Sequence, residues 1–137
     1  MRPPPYPRIA RRRSAVHGWG VYALEPIPKN KRIVQYDGEK ITTRESQRRE
    51  ALHEVRGHVW CFAINRRWVR DATVGGNIAR YINHSCVPNC YTQVVGDTIW
   101  IRAARTIAAG EELSYDYCTG GTAKLPCNCR RECGRVL

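Results

Sequence analysis

Apolar positions along this chain come in short runs, most of them four to six residues long, cut by glycine, proline, asparagine and aspartate. That spacing predicts strands joined by turns rather than long helices. The clearest case is Tyr91-Thr92-Gln93-Val94-Val95 and Thr98-Ile99-Trp100-Ile101-Arg102-Ala103 on either side of Gly96-Asp97, which predicts a hairpin. Ile33-Val34-Gln35-Tyr36 is β-prone, Asp37-Gly38 is a strong turn signal, and Glu39-Lys40-Ile41 resumes a strand. Val59-Trp60-Cys61-Phe62-Ala63-Ile64 and Trp68-Val69-Arg70-Asp71-Ala72 form another pair of runs, with Asn65-Arg66-Arg67 to turn between them. One polar stretch breaks the pattern. Thr42 with Glu45 three residues later resembles a capping box, and predicts a short exposed helix to about Leu52 or Val55, with Arg44, Arg48 and Arg49 solvated on its surface. Gly75-Gly76 opens a loose segment, followed by one helical turn through Ile78, Tyr81 and Ile82. No internal repeat is visible. The expected fold class is mainly β with short helices.

Composition narrows this only somewhat. The chain has 137 residues, about one domain, and 42% hydrophobic content, as a soluble globular protein has. No apolar run approaches the roughly 18 residues of a membrane span, and residues 1–8 lack the apolar segment of a secretory signal. The expectation is an intracellular protein without a membrane partner. Twenty-three basic residues stand against twelve acidic ones, a net charge of +11. This favours anionic partners, including non-specific contact with nucleic acid phosphate, although a small domain can also be simply basic. Arg11-Arg12-Arg13 concentrates that charge, and residues 1–8 read as a flexible, proline-rich basic arm. Seven cysteines cannot all pair. Cys86, Cys127, Cys129 and Cys133 suit metal binding in a reducing compartment, and Cys61, Cys90 and Cys118 read as packed or free thiols.

The most informative stretch is Arg80-Tyr81-Ile82-Asn83-His84-Ser85-Cys86-Val87-Pro88-Asn89. Taken alone, His84 would be an ordinary core histidine, and Val87-Pro88-Asn89 a rigid turn. Three other stretches accompany it: His17-Gly18-Trp19-Gly20-Val21 upstream, Gly110-Glu111-Glu112-Leu113-Ser114-Tyr115-Asp116-Tyr117 downstream, and Cys127-Asn128-Cys129 with Cys133 near the end. Together, in this order over roughly residues 9 to 133, they resemble SET-domain protein lysine methyltransferases with a post-SET zinc segment. The resemblance implies a SET-domain fold of small β-sheets with a C-terminal pseudoknot, in which the C-terminal segment passes under a loop near Asn83 and His84. It divides the chain into the arm at 1–8, a SET domain at 9–119 and a cysteine-rich tail at 120–137. Residues 33–41 would be the family's hairpin. Asn30 stands where the family usually has glycine, and asparagine tolerates a left-handed conformation.

What the resemblance implies for chemistry is methyl transfer from S-adenosylmethionine to a protein lysine, with a histone tail as the default substrate and mono- or dimethyllysine as the product. Such a displacement needs the amine neutral and in line. A free lysine has a pKa of about 10.4, so neutralising it at pH 7 costs roughly 4–5 kcal/mol, and a dry aromatic channel lowers that pKa. By the resemblance Tyr117 is the catalytic tyrosine, Tyr115 limits the methylation degree, and Tyr36 lines the channel. The cofactor-binding set is His17, Gly18, Trp19, Gly20, Trp60, Asn83, His84 and Asn128. Trp60 also faces the lysine channel, where the family usually carries tyrosine. Cys86, Cys127, Cys129 and Cys133 would form a closed tetrahedral zinc site, although three residues separate the last two where the family usually has four. Without their context, Tyr115 and Tyr117 would be alternate tyrosines on one strand face, and the glycines at 18 and 20 an ordinary tight turn. The competing functions are a catalytically weak SET module that binds chromatin or nucleic acid, and a basic zinc module that binds nucleic acid. Localisation follows the substrate: nucleus and chromatin for a histone, cytoplasm otherwise.

Overall fold

Strand β9 (Thr98–Ala103) lies in the middle of a three-stranded antiparallel sheet, between β3 (Arg32–Gln35) and β8 (Cys90–Val95). Its central position explains its nearly unbroken apolar run, for Ile99, Trp100 and Ile101 are all buried. The computed structural model describes residues 6–15, 18–56 and 61–116, with the backbone alone at residues 50 and 52–56. The β8–β9 hairpin forms as its sequence predicts. Val95 pairs with Thr98, and Gly96 takes a φ of 60° at the first of the two turn positions, as a type II′ turn requires.

A second three-stranded sheet runs in the order β4 (Glu39–Thr42), β6 (Trp68–Asp71), β5 (Cys61–Ala63). The turn between β5 and β6 is held by Asn65, whose side-chain oxygen accepts from the backbone N–H groups of Arg67 and Trp68, each at 2.9 Å. Two strands near the N-terminus, β1 (Ile9–Arg13) and β2 (Trp19–Ala23), pair antiparallel. Ahead of them, the Tyr6 ring lies 5.6 Å from that of Trp100, and the Arg8 carbonyl accepts from Leu24 N.

The expected hairpin at 33–41 does not form. β3 pairs with β9 and β4 pairs with β6, so Asp37-Gly38 carries the chain from one sheet to the other. Glycine serves close approach there: a Cβ at Gly38 would sit 2.6 Å from the Asp71 carbonyl oxygen. The turn signal is not realised, for residues 36–38 form neither a turn nor a bend between the two strands.

The one α-helix among the described residues, α1 (Thr43–Arg56), begins where the capping signal puts it, with Thr42 Oγ1 accepting from Glu45 N at 3.1 Å. The second half of the capping box is absent, because the Glu45 carboxylate is taken by Arg48 and Arg49. Arg49 also departs from the solvated surface expected of it. It reaches down to Glu39 at 2.7 Å and to Asp71, 1% exposed, at 3.0 Å, tying α1 to the β4–β6 pair.

The crossing of the two signature stretches is a short parallel pair. β7 (Asn83–His84) lies beside β10 (Ser114–Tyr115), matching Asn83 with Ser114 and His84 with Tyr115. The turn after β7 reinforces it. Buried Asn89 donates from Nδ2 to the Glu112 carbonyl at 2.9 Å and accepts at Oδ1 from Ser114 N at 2.9 Å. Beneath these elements lies a core of branched aliphatic side chains, among them Val21, Ile33, Ile82, Ile101, Ile107 and Leu113. Asn30 does adopt the left-handed region, with a φ of 70°.

Candidate functional site

Two groups of side chains meet at the β7–β10 pair. The first surrounds Asn83. A single 3₁₀ turn, Ile78–Tyr81, capped by the Asn77 side chain, delivers the chain into β7 with Asn83 and His84 buried. Asn83 Nδ2 donates to the Trp19 carbonyl and to Glu112 Oε2, both at 2.9 Å, with Ser14 Oγ at 3.2 Å. A carbonyl and a carboxylate only accept, so the amide's orientation is fixed by its partners. The loop bearing Gly18, Trp19 and Gly20 is thereby fastened to the central stretch 64 residues away. Gly18 has a φ of +47° and open space where a Cβ would stand. Gly20 is different, because a Cβ there would overlap the Glu112 carboxylate.

Trp19 is 40% exposed and flanked by guanidinium groups, Arg11 at 4.5 Å and Arg13 at 4.9 Å from its ring centre. Arg11 also lies 4.8 Å from the Tyr81 ring, with Arg80 at 4.9 Å. The hydrogen bond from Arg80 to its hydroxyl holds the Tyr81 pKa below that of a free phenol. This is an alternating cation–aromatic stack along the edge of the glycine loop.

The second group is aromatic. Buried Tyr36, at the end of β3, and buried Tyr115, in β10, flank Phe62 of β5, with ring centres 5.2 Å and 6.0 Å from it. Three separate sheets each contribute one ring. Between the two groups, His84 Nδ1 lies 3.6 Å from Asp116 Oδ1, and its Nε2 lies 3.3 Å from Cys86 Sγ. Cys90 is a free thiol, and burial pushes it up to about 12.

Gly18, Trp19, Gly20 and Asn83 are thus gathered at one place, with His84 beside them and Tyr36 and Tyr115 in one aromatic cluster. His17, Trp60, Tyr117, Asn128, Cys127, Cys129 and Cys133 lie outside the described residues, as does Cys118. Among the described residues no three His, Cys, Asp or Glu side chains gather as a metal site. Sequence reasoning overlooked Phe62, Ser14 and Glu112. Phe62 was within reach: it follows Trp60 by two, and strand alternation puts such a pair on one face. Glu112 falls within the downstream stretch quoted above, but no local pattern shows its role, since its partners lie up to 98 residues away.

A family model described as SET domain matches residues 18–118. Curated relatives agree with it. A Caenorhabditis elegans protein named histone-lysine N-methyltransferase set-2 is 45% identical over 111 residues, covering 77% of this chain and 7% of its own length. Histone-lysine N-methyltransferase ATXR7 of Arabidopsis thaliana is 44% identical over 123 residues, covering 85% and 9%. A Chaetomium globosum protein named histone-lysine N-methyltransferase, H3 lysine-4 specific, is 43% identical over 127 residues, covering 85% and 12%. The chain therefore spans roughly a tenth of these relatives. The match runs from the glycine loop through the aromatic cluster, and on it the chain belongs to the SET-domain family.

Proposed function

We propose that this domain transfers a methyl group from S-adenosylmethionine to the ε-amine of a protein lysine, with a histone tail as substrate and mono- or dimethyllysine as product. The observation that carries the reading is the β7–β10 pair, which puts the Asn83 cluster and the aromatic cluster back to back at adjacent positions, Asn83 beside Ser114 and His84 beside Tyr115. The names of the relatives supply the substrate class.

The cofactor fits the first group. An open left-handed glycine, an exposed indole and an oriented amide suit a ligand carrying an amino acid and a flat base. When bound, S-adenosylmethionine supplies an electrophilic methyl on a sulfonium. Tyr36, Phe62 and Tyr115 form the dry wall against which a lysine amine loses its proton and is held in line. Tyr117, next after Asp116, would hold that amine through its hydroxyl, with Trp60 as a further wall. His17 and Asn128 would complete the cofactor contacts.

Zinc is part of the same proposal. Cys86 is half-buried, two residues past His84, and Cys127, Cys129 and Cys133 would join it in a four-thiolate site fastening the tail at 120–137. Elemental analysis should find about one zinc per chain, as one closed site of this type holds. A metal-free, fully active protein would remove zinc from the account.

One observation favours a second reading, contact with nucleic acid. The stack of Arg13, Trp19, Arg11, Tyr81 and Arg80 presents guanidinium edges suited to phosphate. Binding to duplex DNA with a steep salt dependence, and no affinity for S-adenosylmethionine, would favour a binding module. Labelled S-adenosylmethionine with histone substrates separates the two: label transferred to lysine supports the enzyme, and its absence supports the module.

A further inference from the structure

The carboxylate of Glu112 has no part in the proposal above, yet the side chains around Asn83 converge on it. It accepts from Ser14 Oγ at 2.9 and 2.8 Å, from the Tyr22 hydroxyl at 3.2 Å and from Asn83 Nδ2 at 2.9 Å. Burial first, and the neighbouring Glu112 carboxylate second, push the Tyr22 hydroxyl pKa above its ordinary value. Gly20 packs so closely that a Cβ would overlap the carboxylate. The backbone holds Glu112 in place, through a bridge to Tyr22 and the bond from Leu113 N to Val21 O at 2.7 Å. One carboxylate thus collects donors from the residue after β1, from β2 and from β7.

We propose that Glu112 is a positioning residue for the cofactor, locking Ser14, the Gly18–Gly20 segment and the Asn83 amide into one preformed surface. The inference rests on the reading of that loop and Asn83 as the cofactor site. Three hydroxyl or amide donors converge on two oxygens, and only an acceptor can satisfy them all. Hydrogen bonds to a charged group are among the stronger ones a protein makes, enough to hold a segment that would otherwise have to be ordered by the ligand. Glu112 touches the loop rather than the reacting atoms, so its effect belongs in cofactor affinity and not in the chemical step.

The substitution that isolates this is Glu112→Gln, which keeps the shape but turns an N–H₂ donor toward other donors. Calorimetry on the full chain should show S-adenosylmethionine bound about tenfold or more weakly, tenfold being 1.4 kcal/mol. At saturating cofactor, kcat should stay within about threefold and the KM for a lysine peptide should not move. Ser14→Ala, remote from the core, should weaken the cofactor in the same direction. The double variant should be little worse than Glu112→Gln alone, since the two share one cluster. Glu112→Asp, which retains the charge, should recover part of the affinity. If Glu112→Gln does not fold, Ser14→Ala decides by the same measurements. Unchanged cofactor affinity in a folded variant would overturn the proposal. So would kcat and both KM values worsening together with the melting temperature, which is what a purely structural carboxylate would do. If the unsubstituted chain binds no S-adenosylmethionine, the cofactor reading itself fails and this inference with it.

Discussion

At Tyr115 a hydroxyl sits on a buried ring that shares Phe62 with Tyr36. A hydroxyl that anchors a water occupies the volume a growing methylammonium needs, and removing an ordered water without replacing its bonds is unfavourable. Tyr115→Phe should therefore move the product toward trimethyllysine with little loss of rate, read from mass spectra of a peptide at long incubation. Predominant trimethylation by the unsubstituted chain would show that Tyr115 sets no limit. Tyr117→Phe should instead cut turnover by about 10²-fold, the size of a lost acid–base or positioning group, and leave cofactor binding unchanged in a direct binding assay. At this scale the sequence was legible wherever a motif carried the residue, as for Asn83 and Tyr115. Glu112 stands in the same stretch as Tyr115 but carried no role there, because its meaning depends on Ser14 and Gly20 arriving from the far end of the chain.

Among the elements, the β7–β10 crossing depends most on one side chain. Asn89 satisfies the backbone of both Glu112 and Ser114 from a buried position. Asn89→Ala leaves those groups without this partner, at a cost of about 1–3 kcal/mol. Urea unfolding should show the midpoint fall with an unchanged slope, and activity should fall at the same time. Local chemistry made the β8–β9 hairpin and the start of α1 readable in advance, because a two-residue turn and an N-cap are decided by neighbours in sequence. It misled at Asp37-Gly38, where no hairpin turn forms and β4 pairs instead with β6, set by long-range packing. It misled also at Arg49, where a helix pattern cannot reveal that a buried Asp71 lies underneath.

For the whole molecule, stability should be bounded on both sides of neutrality. Hydrogen bonds from Arg48 and Arg49 hold Glu45 at about 2, and Arg105 holds Glu111 below the ordinary carboxylate value. Both folded values are depressed, so their contribution is present above the ordinary 4.5 and is lost as pH falls from there toward 2. Cys90 acts in the opposite direction. Its folded value is raised from 9.0 to about 12, so its contribution is complete below 9 and is lost as pH rises toward 12. That loss amounts to about 4 kcal/mol at most. Thermal unfolding across pH should show both edges, and Cys90→Ala should flatten the alkaline one.

The predictions for Tyr115 and Tyr117 rest on the claim that the Asn83 cluster and the aromatic cluster together form a methyl-transfer site. The most direct test is to incubate the full chain with S-adenosylmethionine bearing a labelled methyl group and with histone substrates, then locate the label by mass spectrometry. The account predicts labelled mono- or dimethyllysine, lost in Tyr117→Phe and strongly reduced in Asn83→Ala. A folded, zinc-loaded chain that leaves every lysine unlabelled would contradict it.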